Sequence, residues 1–107
     1  MNLSEVIKNI ECPVVINIQS DYMASSVLMK PIQKDMEDKF RRKVVFFNLK
    51  QGDELEFEDQ FFITRFPTFL FFKNGALIGK LDGLVSRSVL LNTLKKLVSQ
   101  STSVEQR

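Results

Sequence analysis

"FPTFLFFKNG", residues 66–75, decides how the rest of the chain is read. Its proline, Pro67, stands where a strand loses least from a missing N–H, and the apolar run through Phe69, Leu70, Phe71 and Phe72 reads as a buried strand. Lys73-Asn74-Gly75 is a hairpin signal, because Asn and Gly accept the positive φ values of a tight turn. "ALIGKL", residues 76–81, is therefore predicted to return antiparallel to the strand before it.

Working upstream, "GDELEFEDQF" from Gly52 reads as a short acidic helix, with Asp53 to Asp59 a solvated face. "VVFFNL", residues 44–49, is a second buried strand, preceded by the basic break Arg41-Arg42-Lys43. Leu28, Ile32, Met36 and Phe40 recur every four residues and predict a helix, with Ser25 and Ser26 as its N-cap pair. "PVVINI", residues 13–18, is a strand, and Leu3, Val6, Ile7 and Ile10 recur at helical spacing behind a cap at Ser4. Downstream, Ser86 caps a last helix with Val89, Leu90, Leu94, Leu97 and Val98 on its inner face. The order α-β-α-β-α-β-β-α predicts one mixed sheet, with a right-handed crossover between the first two strands and helices on both faces. Residues 1–98 are expected to form a single domain and 99–107, "SQSTSVEQR", a polar tail that frays.

Composition narrows the chemistry. A chain of 107 residues with 44% hydrophobic content and ten phenylalanines can fill one core. A net charge of +2, with both signs interspersed, gives no nucleic-acid footprint. No apolar run reaches the roughly 18 residues of a membrane span, and the polar start "MNLSEVIKNI" is unlike a signal peptide, so a cytoplasmic protein is expected. One cysteine, Cys12, permits no internal disulfide, and without histidine no metal site or cofactor is expected. Beside Pro13, Cys12 reads as a half-buried spectator.

With these elements placed, "FPTFLFFKNG" resembles the thioredoxin signature, in which a cis proline, here Pro67, precedes Thr, an apolar strand and a Lys-Asn-Gly turn. "YMASSVLMKP", residues 22–31, resembles the same family's motif helix: an aromatic residue, a Cys-x-x-Cys pair and a proline five residues on. The aromatic is Tyr22, the two cysteine positions hold Met23 and Ser26, and the proline is Pro31. The resemblance covers about Leu3 to Val98. It implies a thioredoxin fold with a central sheet of four strands, or five if the family's first edge strand is present.

The resemblance also says what is missing. Disulfide exchange needs a thiolate and a resolving thiol, whereas Met23 cannot ionise and a serine without a base is a poor nucleophile. Family members bury an acid in the central strand near a lysine on the next; the matching positions are Asn17 and Asn48, expected as a buried polar pair. In the family, a substrate peptide lies between the motif turn, the cis-proline loop and the loop after the hairpin. The matching residues are Tyr22, Met23, Phe66, Pro67, Gly83 and Leu84. The expected function is non-covalent binding of a protein or peptide partner by a non-catalytic, adaptor-like or chaperone-like protein, similar by fold to hydrogenase-maturation chaperones and the non-catalytic domains of protein disulfide isomerases. The alternative is an oxidoreductase that works through Cys12, or a glutathione-linked one that uses Ser25 or Ser26. A further alternative is a structural subunit whose groove is filled permanently by a neighbouring copy, which would make a homodimer.

Overall fold

In the computed structural model, which describes residues 2–103, the elements run α1 (Leu3–Lys8), β1 (Val14–Gln19), α2 (Ala24–Phe40), β2 (Val45–Lys50), α3 (Leu55–Gln60), β3 (Thr68–Lys73), β4 (Ala76–Asp82) and α4 (Arg87–Ser103). The order is the predicted one. The strands form a four-stranded mixed sheet, β2-β1-β3-β4, in which β1 and β2 are parallel and the other pairs antiparallel. No fifth strand occurs among the described residues, so β2 is an edge. No helix among the described residues is long and apolar enough to cross a membrane.

Period-two alternation along β1 sends Val14, Ile16 and Ile18 to one face, where Leu3, Ile7, Phe57, Ile63, Phe66, Leu70 and Phe72 complete a core under α1 and α3. Val15 points the other way, into a second core with Met29, Met36, Phe40, Phe69, Phe71, Leu90, Leu94 and Leu97 from α2, α4 and β3. Both faces of β1 and β3 are thus dry, which is why those strands read as continuous apolar runs. The hairpin turn takes its positive φ at Asn74 (52°) and Gly75 (81°), as the residue types require. Gly75 is needed for a second reason, since a Cβ there would stand 2.8 Å from Cγ of Lys8 on α1.

Several local expectations shift. The cap of α1 is Asn2, whose Oδ1 accepts from the Glu5 N–H at 3.3 Å, so Ser4 lies inside the helix. The inner face of α2 is Ser26, Met29, Gln33, Met36 and Phe40, with Leu28 exposed. A strict four-residue row drifts around a helix of 3.6 residues per turn, so it starts in solvent at Leu28 and reaches the core only at Met36. Val89, one position and so about 100° around the helix from buried Leu90, is exposed. Glu58, expected in solvent, is buried and accepts the Gly52 N–H at 2.7 Å. Cys12 is exposed rather than half-buried. Helix α4 continues past Val98 to Ser103, and residues 104–107 of the expected tail lie outside the described residues.

Candidate functional site

The turn between β1 and α2 is built by its serines. Ser20 and Ser26 are buried; Ser26 Oγ accepts the Ser20 N–H at 2.9 Å, and Ser20 Oγ accepts the Tyr22 N–H at 3.3 Å. The N-cap of α2 is Met23, which offers no side-chain hydrogen bond, so Ser25 and Ser26 are not the cap pair that composition suggests. They lie in the first turn, and their hydroxyls bond away from their own helix. Ser25 Oγ donates to the carbonyl oxygen of Phe66 at 2.5 Å, across 41 residues of sequence.

That bond fastens the turn to the loop before β3, where the Phe66-Pro67 peptide is cis. Pro67 in turn accepts the Gly83 N–H through its carbonyl at 2.8 Å, and Gly83 sits at φ 76°, which a glycine adopts without cost. Three segments far apart in sequence are therefore held edge to edge. Their members differ in exposure: Tyr22 is 94% and Leu84 62% exposed, Met23 is also exposed, and Phe66 and Pro67 are buried. Phe66 is part of the core and Pro67 is buried, so the exposed apolar members of these segments are Tyr22, Met23 and Leu84. Beside it, Asp21 bridges Lys50 and Lys30 at 3.2 and 3.3 Å. The hydrogen bond from Lys50, then that from Lys30, holds the Asp21 carboxyl below the usual aspartate value.

Behind the turn, Asn17 is 1% exposed on the α2 side of the sheet, in register with Asn48 on β2. Asn17 Nδ2 donates to Asn48 Oδ1 at 3.4 Å, but only Asn17 is buried, because an edge strand leaves Asn48 exposed to solvent. The expected buried pair is thus half correct, and it belongs to a larger network. Gln33 Nε2 donates to Asn48 Oδ1 at 2.7 Å and to Glu37 Oε2 at 2.9 Å, Asn48 Nδ2 donates to Glu37 at 2.8 Å, and Gln19 donates to Gln33. Asn17 Oδ1 has no partner. Sequence reading missed Gln19, Gln33 and Glu37, since polar residues on an amphipathic helix and at a strand end carry no signal of a shared partner.

No cysteine lies in this turn. Cys12 precedes β1 and the turn follows it, and six strand residues at ~3.3 Å each put roughly 20 Å between them. Ser26 is buried and already accepts a backbone N–H, and the Ser25 hydroxyl already donates its hydrogen bond to the Phe66 carbonyl. Among the described residues no group of three or more potential ligands could hold a metal.

Comparison with known proteins agrees with this geometry. The family model described as Thioredoxin matches residues 1–96. The M-type chloroplast thioredoxin of Spinacia oleracea is 25% identical over 95 residues, covering 89% of this chain, which spans about half (52%) of that relative's length. The thioredoxin of Pyropia yezoensis is 23% identical over 95 residues, covering 89% of this chain and 88% of the relative. The oxidised crystal structure of mitochondrial thioredoxin 3 from Saccharomyces cerevisiae superposes with a TM-score of 0.77 at 22% identity, over 88% of this chain and 86% of that one, a likeness of fold.

Proposed function

The chain belongs to the thioredoxin family, and from that premise we propose that it works by non-covalent binding of a protein or peptide segment, as an adaptor or chaperone-like protein, at the surface of Tyr22, Met23, Pro67, Gly83 and Leu84. The observation that carries this reading is the pair of hydrogen bonds, Ser25 to Phe66 and Gly83 to Pro67, that ties the three segments into one surface while the motif positions hold Met23 and Ser26. An exposed tyrosine and a pliable methionine beside a leucine suit apolar side chains of a partner. The Phe66 carbonyl keeps one lone pair beyond the bond from Ser25, enough for a single main-chain contact with an extended segment.

The test is capture from a lysate by the tagged native chain, compared with Tyr22→Ala/Leu84→Asp. Both residues are exposed, so the variant keeps its fold. A partner retained by the native chain and lost at least tenfold in the variant supports the surface. Equal capture by both places recognition elsewhere. Retention that depends on added glutathione would favour the glutathione-linked alternative.

A further inference from the structure

We propose that the open edge of β2 pairs antiparallel with β2 of a second copy, joining two four-stranded sheets into one of eight strands across a two-fold axis. This is independent of the peptide surface above. In β2 the odd-numbered residues face β1: the Val45 N–H bonds to Pro13 O at 2.9 Å and the Gln51 N–H to Gln19 O at 2.7 Å. The even-numbered residues therefore aim their N–H and C=O groups outward. At one end the Val44 N–H is taken by Phe40 O at 2.9 Å. At the other, Lys50 is closed on both sides, its N–H donating to Asp53 Oδ2 and its carbonyl accepting from the Asp53 N–H, each at 2.9 Å. Between these stops the outward groups of Phe46 and Asn48 remain.

Two residues with two groups each fit one register. Phe46 opposite Asn48 of the second copy, and Asn48 opposite Phe46, make four hydrogen bonds with Phe47 on the axis. Shifting the axis to Phe46 sets Asn48 against Val44, whose N–H is taken; shifting it to Asn48 sets Phe46 against the closed Lys50. In the favoured register Phe47 meets its own copy in a non-hydrogen-bonded pair, where side chains come closest, and Val45 meets Leu49. All three are only half-buried in the single chain.

Charge selects the same occupant. The turn Arg41-Arg42-Lys43 precedes β2 and Asp53 and Glu54 follow it, so the antiparallel arrangement brings the basic turn of each copy beside the acidic turn of the other. The opposite edge, β4, exposes Leu77 and Ile78 in its first half but carries edge protection elsewhere: an irregular register at Phe71/Phe72, a glycine at Gly79 and, from there on, alternating exposure with Lys80 and Asp82 exposed. Edge β2 has no proline and no bulge.

The experiment is sedimentation of the full chain across micromolar to millimolar concentration, with residue-resolved amide exchange at both ends of the range. The expected result is a species of twice the 12.4 kDa chain mass, with Phe46 and Asn48 amides becoming protected as it forms while Val45 and Phe47 stay protected throughout. Arg41→Glu/Arg42→Glu, at exposed positions, should raise the dimer Kd about tenfold, the effect of reversed cross-strand charges repeated on both sides of the two-fold axis. Asn48→Pro, checked for folding by circular dichroism, should abolish the dimer. A monomer at every concentration, a dimer that leaves the Phe46 and Asn48 amides unprotected, or a Kd unmoved by charge reversal would each overturn the proposal.

Discussion

Phe62 shows what a single residue can carry that its type does not announce. Helix α3 ends in a paired turn: the Ile63 N–H bonds to Glu58 O at 2.9 Å and the Phe62 N–H to Asp59 O at 3.3 Å, with Phe62 at φ 55°. This is the left-handed helix stop that glycine usually fills, and an L side chain there costs about 1–2 kcal/mol. The ring is 78% exposed, so it regains little by burial. Phe62→Gly should stabilise the protein by about 1 kcal/mol after the greater unfolded-state freedom of glycine, and raise Tm by about 4–8 °C. A thermal melt showing no gain would mean that the phenyl ring makes a stabilising contact. Asn17 is the opposite case: the family resemblance implied a pairing with Asn48, which is present, but its Oδ1 is left without a donor, which no local pattern announces.

At the scale of elements, α2 is where chemistry was to be read. The resemblance implies that Met23 and Ser26 stand at the family's two cysteine positions, and the structure makes Met23 the N-cap and Ser26 a first-turn residue of a helix of 17 residues. The dipole of such a helix favours a thiolate at its start. Met23→Cys/Ser26→Cys should therefore close a disulfide under mild oxidation, read by thiol titration and mass. Failure to close would show that the turn is rebuilt and that Tyr22 and Met23 do not line the proposed peptide surface. Adding Asn17→Asp should raise the reductase rate of that variant about 100-fold, the lower end of general acid–base assistance, because Asn17 cannot carry a proton. What the sequence could not give is the work of the serines: a cap and a crosslink use the same hydroxyl, and only the approach of Phe66 from 41 residues away decides between them.

For the whole molecule, a single cysteine limits what the family fold can do, since an internal dithiol–disulfide cycle needs two. The chain should give no insulin-reduction turnover with dithiothreitol above a Cys12→Ser control; turnover above that control would restore the oxidoreductase alternative. The alternation of strands and helices and the hairpin were all legible, because each depends on hydrophobic period or turn chemistry local to a few residues. Edges were less so: β2 and β1 are both apolar runs, yet one is dry on both sides and the other half-open.

The sequence by itself determined the order of elements, the turn at Asn74-Gly75 and the presence of a single cysteine, since side-chain periodicity, backbone permission and residue type are properties of short stretches. Only the tertiary structure decided that Asn48 is exposed while Asn17 is buried, that Ser25 fastens the motif turn to Phe66, and that the Phe46 and Asn48 backbone groups face solvent. Those outcomes depend on which strand ends up at the rim of the sheet and which loops meet at its end, and no local pattern encodes a neighbour 30 or 40 residues away.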